Sequence, residues 1–137
     1  MPEPEWLDLD VVLEIQQQQL IRFGGSPGLR DMGLLQSALA RPQWLYEFNP
    51  DADAHRFAAA YAYGIVKNHP FVDGNKRLGF LAAYVFLRLN GWHLAATQAD
   101  IVRVMLALAD GKLDEAEFAG WLRQKCEPTA LPPAGSS

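Results

Sequence analysis

A histidine, a carboxylate, a glycine and two adjacent cations crowd into His69-Pro70-Phe71-Val72-Asp73-Gly74-Asn75-Lys76-Arg77, just where a long apolar stretch begins. Each type has a chemistry. His69 is of the residue type that most often serves as a general base, here to take the proton from an attacking hydroxyl. Asp73 fits a helix N-cap and equally a Mg²⁺ ligand, since one carboxylate with phosphate oxygens and waters makes an ordinary magnesium site. Gly74 permits a tight turn and close backbone approach, and Asn75 tolerates turn geometry. The amides of residues 74–77 are placed to form an anion-binding nest. Lys76 and Arg77 would sit in the first turn of a helix. The positive end of the dipole disfavours a cation there by roughly 0.3–1 kcal/mol, unless an anion is bound. Arg77 offers a fork that matches phosphate, Lys76 a point charge, and Lys67 adds a cation just before the loop. Solvated cations bridging to Asp73 are the competing reading, but the rest of the helix is too apolar to leave them much solvent. Together these are the parts of phosphoryl chemistry, which needs positioning and charge neutralisation more than covalent help. No Gly-x-x-x-x-Gly-Lys-Ser/Thr loop, kinase signature or His/Cys metal cluster appears.

The elements that hold this segment read as helices almost throughout. Asp8 or Asp10 caps a first helix that ends at Gly24-Gly25. Its Gln16 to Gln19 run reads as a solvated face. Asp31 caps a second helix, with Leu34, Leu35, Ala38 and Leu39 as its apolar stripe, and Pro42 is expected to stop it. Pro42 to Asp53, carrying Trp44, Leu45, Tyr46 and Phe48, reads as an irregular stretch: a packed surface loop or a binding flap. Asp53 opens a third helix to Asn68, whose alanines Ala58, Ala59, Ala60 and Ala62 allow close packing. Pro70 ends it and biases His69 towards an extended backbone. A fourth helix from about Asn75 to Leu89 is apolar nearly all round and belongs at the centre. Thr97 and Asp100 start a fifth helix, Gln98 to Ala109. Asp114, Glu117 and the Leu113/Phe118 pair start a sixth, to about Lys125, with a capping box and a hydrophobic staple. The fold class is all-α, a compact bundle of about six helices with a central apolar helix following the motif loop. Residues 1–126 are expected to form one domain, and the Pro/Ala/Gly/Ser-rich residues 127–137 a disordered tail. No strand is expected.

Composition bounds the function. The chain has 137 residues, half of them hydrophobic, and a net charge of −4. No broad basic stripe supports nucleic-acid binding. A single cysteine, Cys126, rules out an internal disulfide and fits a reducing compartment, as an inert thiol. The acidic, proline-rich N-terminus is unlike a signal peptide, and the longest apolar run, Leu78 to Leu87, is about half a membrane span. A cytoplasmic protein is expected. His55 and His93 lack the company of His69 and read as structural or solvent-facing. Phe71 reads as a core anchor.

The nine residues from His69 to Arg77 resemble the Fic/Doc motif, His-x-Phe-x-(Asp/Glu)-(Gly/Ala)-Asn-(Gly/Lys)-Arg. The stretches Phe23 to Asp31, Ala38 to Arg41 and Tyr84 to Gly91 are similar to the Doc branch, so the resemblance covers roughly residues 8 to 125. It implies the Fic/Doc fold, with His69 as base, Asp73 as magnesium ligand, and Gly74, Asn75, Lys76 and Arg77 as the phosphate cradle. Lys67 falls where Doc has a phosphate-contacting arginine. AMP-transferring Fic enzymes usually carry Gly at the position of Lys76 and a second Arg at that of Phe80. The Doc branch has the lysine and lacks that arginine. The resemblance therefore implies a toxin of a toxin–antitoxin system, a kinase using ATP and Mg²⁺ to phosphorylate a threonine of elongation factor Tu. The alternatives are AMP transfer to a protein hydroxyl, and a non-catalytic antitoxin-binding or co-repressor module. The family's inhibitory Ser/Thr-x-x-x-Glu motif is not found, which implies a separate, Phd-like antitoxin covering the site. Many relatives have His near Gln16. Pro42 to Pro50 falls where Fic proteins carry a target-docking flap.

Overall fold

The computed structural model describes residues 3–129 as six helices and a two-stranded ribbon: α1 (Leu9–Phe23), α2 (Met32–Phe48), α3 (Ala54–Asn68), α4 (Asn75–Leu89), β1 (Trp92–Leu94), α5 (Gln98–Ala109), α6 (Glu115–Lys125) and β2 (Cys126–Pro128). The all-α reading holds in its essentials. Four helix starts use the expected caps: Asp31, Asp53, Thr97 and Asp114 each accept a hydrogen bond from the backbone N–H three residues on. Asp114 and Glu117 close a reciprocal capping box. Asp8 precedes α1 but makes no side-chain cap.

The core forms around α3 and α4, which pack on each other; α2 and α6 pack on α3, α1 packs on α4, and α5 meets both central helices. Small residues let the axes approach. A Cβ built on Gly64 would lie 3.1 Å from the Ala38 Cα, and one on Gly79 would lie 2.9 Å from Val66 Cγ2 and 3.2 Å from the Ala62 carbonyl oxygen. Ala58, Ala59, Ala60, Ala62, Leu78, Ala82, Ala83, Phe86 and Leu87 are fully buried. Trp6, ahead of α1, closes one end against Tyr46, Phe57 and Phe86. No helix among the described residues is long and apolar enough to cross a membrane.

Four expectations are corrected. Pro42 does not stop α2; it lies buried inside a helix that continues to Phe48. Proline removes the N–H that would reach the Ala38 carbonyl and crowds that oxygen with its ring, yet the buried packing of α2 against α3, close at Ala38 and Gly64, accompanies an unbroken helix. The irregular stretch shrinks to residues 49–53. Trp44 and Phe48 stand exposed on α2, while Leu45 and Tyr46 pack on the core. His69 is not extended: φ 51° and ψ 55° put it in the left-handed region, where its N–H bonds the Ile65 carbonyl and terminates α3. Among the described residues it is the only non-glycine with positive φ. Strands do occur: β1 and β2 pair antiparallel with Trp92 opposite Pro128. Three residues a side are too few for an alternation to show. The start of the expected tail, Glu127 and Pro128, is therefore part of the ribbon. The rest of that tail, residues 130–137, lies outside the described residues. The fourth correction concerns α1 and belongs to the site.

Candidate active site

The motif loop between α3 and α4 is held from both ends. Pro70 accepts hydrogen bonds through its carbonyl from the N–H groups of Arg30 (2.7 Å) and Asp31 (3.0 Å), and Val72 N–H donates to the Gly28 carbonyl (3.0 Å). The Arg30 guanidinium caps the end of α3, donating to the carbonyls of His69 (2.8 Å) and Asn68 (2.9 Å). Phe71 is buried, as expected of an anchor. Asn75 is buried too, and its amide closes the loop internally: Oδ1 accepts from Phe71 N–H (3.0 Å) and Nδ2 donates to the Phe71 carbonyl (2.9 Å). What Asn75 has left for a ligand is its backbone N–H.

Gly74 is the residue at the N-cap of α4, with φ 80° and no side-chain cap. Among the described residues no side chain caps the first N–H groups of the helix, which lie beside the exposed side chains of Lys76 and Arg77. A side chain at position 74 would be strained by the dihedral, and its Cβ would fall 2.5 Å from Gln19 Nε2 and displace that amide.

Asp73 is fully exposed. Its Oδ2 accepts from Ser26 N–H (3.1 Å) and its Oδ1 from Gly74 N–H (2.8 Å). These two bonds, with smaller help from the Arg77 and Lys76 charges, hold its carboxyl below the usual carboxylate range. It stays ionised, and each oxygen keeps a lone pair for a cation. That donor chemistry fits a magnesium ion, which Asp73 would hold. No cluster of three or more metal-ligating side chains exists among the described residues, so other ligands would come from nucleotide and water.

The structure brings Asp73, Gly74, Lys76 and Arg77 to one helix end. His69 stands exposed six residues ahead of the first full turn, its backbone fixed by Arg30 and Ile65. Lys67 turns elsewhere: Nζ donates to the Ala109 carbonyl at the end of α5 (3.3 Å) and lies over the Tyr63 ring. Beside Lys76 and Arg77 opens an apolar cavity of ≈ 280 Å³ lined by Phe23, Phe80, Leu81, Ile101, Val102 and Met105 among others.

The fourth correction lies here. Gln16 and Gln19 are not solvated; they are 4% and 2% exposed. Gln16 Nε2 donates to the Asp73 carbonyl (2.9 Å) and Gln19 Nε2 to the Gly74 carbonyl (3.0 Å). Gln19 Oε1 accepts from Arg77 Nη1 (3.1 Å). Arg77 goes to an amide and not to Asp73, and the Phe23 ring lies 4.6 Å from its guanidinium carbon. A signal was available: Val12, Gln16 and Gln19 recur at spacings of four and three, so the glutamines continue a buried stripe.

Comparison with known proteins follows the same residues. Residues 6–87 match the family described as Fic/DOC. The chain is 40% identical over 124 residues to a protein named Toxin Doc from Mycolicibacterium smegmatis, covering 85% of this chain and 93% of that one. It is 26% identical over 113 residues to a protein named Protein kinase doc from Escherichia phage P1, covering 82% and 89%.

Proposed function

The chain belongs to the Fic/DOC family, and from that premise we propose that it is the toxin of a toxin–antitoxin pair and a phosphotransferase that moves the γ-phosphate of ATP to a hydroxyl of a translation factor, elongation factor Tu, halting protein synthesis. The observation that carries this reading is the uncapped N-terminus of α4, flanked by Lys76 and Arg77 and the ionised Asp73. Two relatives' names, one a toxin and one a protein kinase, point the same way. So do Lys76 and Phe80, which stand where AMP-transferring enzymes usually carry Gly and Arg.

In this reading Arg77, Lys76 and the N–H groups of residues 75–77 bind the phosphate oxygens and neutralise the charge that spreads over them during transfer. Asp73 would hold Mg²⁺, which supplies further neutralisation between the phosphates. His69 takes the proton of the target hydroxyl as its oxygen bonds to the γ-phosphorus and the bond to the ADP oxygen breaks. Lys67 is a weaker phosphate ligand in this reading, because reaching the site requires it to leave the Ala109 carbonyl. A separate antitoxin, Phd-like, would lay an apolar segment into the cavity lined by Phe80 and Met105 and set a carboxylate against Lys76 or Arg77.

The test is incubation with ATP labelled at either the α- or the γ-phosphate and a cell lysate. Only γ-label should reach protein, on one species of the size of elongation factor Tu, and His69→Ala should abolish it. Transfer of α-label would instead make the protein a nucleotidyltransferase. Growth arrest surviving both His69→Ala and Asp73→Ala would make it a non-catalytic module.

A further inference from the structure

We propose that Gln19, backed by Gln16, is a positioning residue for Arg77: it aims the guanidinium at the open end of α4 and does so without neutralising its charge. The inference rests on the reading of that end as an anion site and extends it to residues outside the motif.

The polarity of the relay leaves one arrangement. Gln19 Nε2 has two protons, and both are used, one on the Gly74 carbonyl (3.0 Å) and one on Gln16 Oε1 (2.6 Å). Gln16 Nε2 donates in turn to the Asp73 carbonyl (2.9 Å). Flipping the Gln19 amide would face its oxygen to two acceptors, so Oε1 must point at Arg77. The two glutamines thus tie three consecutive features of the site to α1: the carbonyl behind the Asp73 carboxylate, the carbonyl that begins α4, and the guanidinium. The Phe23 ring, four residues on from Gln19, covers a face of that guanidinium at 4.6 Å. Two restraints from one helix leave Arg77 few rotamers, although its side chain is exposed.

The choice of an amide matters. A carboxylate at position 19 would hold Arg77 more strongly, but it would cancel the charge that a phosphate needs and compete for the same N–H groups. It would also face the Gly74 carbonyl and Gln16 Oε1 with no proton to give. An amide orients and leaves the full positive charge available. Gln19 itself is buried, so the amide is held in place while the guanidinium it touches stays exposed.

Two measurements separate this claim from the functional reading. The first needs no ligand: nuclear-magnetic-resonance order parameters of the Arg77 side-chain Nε–H in the wild type, Gln19→Met and Gln19→Glu, each checked for folding by circular dichroism. Arg77 should be ordered in the wild type, mobile in Gln19→Met and ordered again in Gln19→Glu. Equal mobility in the wild type and Gln19→Met overturns the proposal. The second is the calorimetric affinity of the same proteins for the magnesium complex of a non-hydrolysable ATP analogue. Gln19→Met should weaken it roughly 10-fold, in the range seen when hydrogen-bonded support behind a ligating group is removed. Gln19→Glu should weaken it further despite restoring order. If Gln19→Glu binds as well as the wild type, the charge half of the proposal falls. If the wild type binds no nucleotide while the order parameters follow the prediction, the functional reading falls and the positioning of Arg77 stands.

Discussion

Two polar clusters in this bundle treat their arginines differently. Around α6, Glu115 is buried and receives Arg41 through Nε (2.7 Å) and Arg56 through Nη1. Nearby, Asp53 both caps α3 and takes a two-pronged contact from Arg123 (2.6 and 3.1 Å). Each guanidinium there finds a carboxylate, and the cluster closes on itself. At the α1–α4 junction Arg77 finds an amide, Lys76 makes no hydrogen bond among the described residues, and the helix end between them is uncapped. The first cluster stabilises the fold. The second leaves positive charge at a place where a helix already disfavours it, which is the observation behind the proposed anion site.

Mutations should therefore separate activity from stability according to cluster. The largest expected effect is at the open cluster. His69→Ala should lower phosphoryl transfer by about 10²–10⁴-fold, the usual worth of a general base, with the denaturant midpoint almost unchanged. Unaltered transfer would remove His69 from the mechanism. At the closed cluster, Glu115→Ala removes the carboxylate that Arg41 and Arg56 share. Urea unfolding should show a loss of about 2–3 kcal/mol, with nucleotide affinity per folded molecule intact. An equal effect on affinity would mean that the clusters are not separate.

Gly74→Ala sharpens the contrast because it should damage both properties at once. The left-handed backbone at 80° disfavours a side chain by about 1–2 kcal/mol, and displacing Gln19 should also weaken nucleotide binding. Thermal melts and calorimetry on one sample would show it.

A smaller effect distinguishes the clusters by pH. His55 is buried against Trp92, with neither ring nitrogen hydrogen-bonded and Nδ1 3.7 Å from Asp53 Oδ2. Burial pushes its pKa below 6.5; Asp53 opposes that and Arg123 adds to it. The unfolded chain then takes up the proton first, so stability should fall as the pH drops from 6.5 towards the folded value. Asp53 acts lower down. Burial works to raise its carboxyl, but the Arg123 and Arg56 hydrogen bonds and the neighbouring charges outweigh it. The stabilisation is present above 3.8 and lost as the pH falls through the folded value. His55→Phe should flatten the upper part of the profile only, as followed by urea midpoints across pH. The smallest effect concerns Cys126, whose thiol burial pushes up to about 11. It should react with iodoacetamide at neutral pH far more slowly than a free thiol.

The open cluster was legible from sequence only in part. The motif residues and four helix caps announce themselves by type and spacing, because a cap acts within three residues of its own position. What joins α1 to the motif acts across more than fifty residues, and a run of four glutamines looks solvated until Val12 is read with Gln16 and Gln19 as one stripe. Pro42 misleads for a similar reason: it is buried in packing with distant parts of the chain, which its local signal as a helix breaker does not report. At His69, the rule that a residue before proline avoids the right-handed helical region is obeyed, but the escape is to the left-handed region, because the chain must cap α3 and turn back to Phe71.

The most direct test of the contrast is ligand-induced stabilisation. Thermal melts of the wild type, Arg77→Ala and Arg56→Ala should be compared with and without saturating ATP and Mg²⁺, which at about 100-fold above the dissociation constant stabilise a binding protein by about 2.7 kcal/mol. The wild type and Arg56→Ala should rise together, from different baselines, while Arg77→Ala barely moves. An equal rise in Arg77→Ala, or none in the wild type, would contradict the claim that the charge at the start of α4 is held open for a nucleotide.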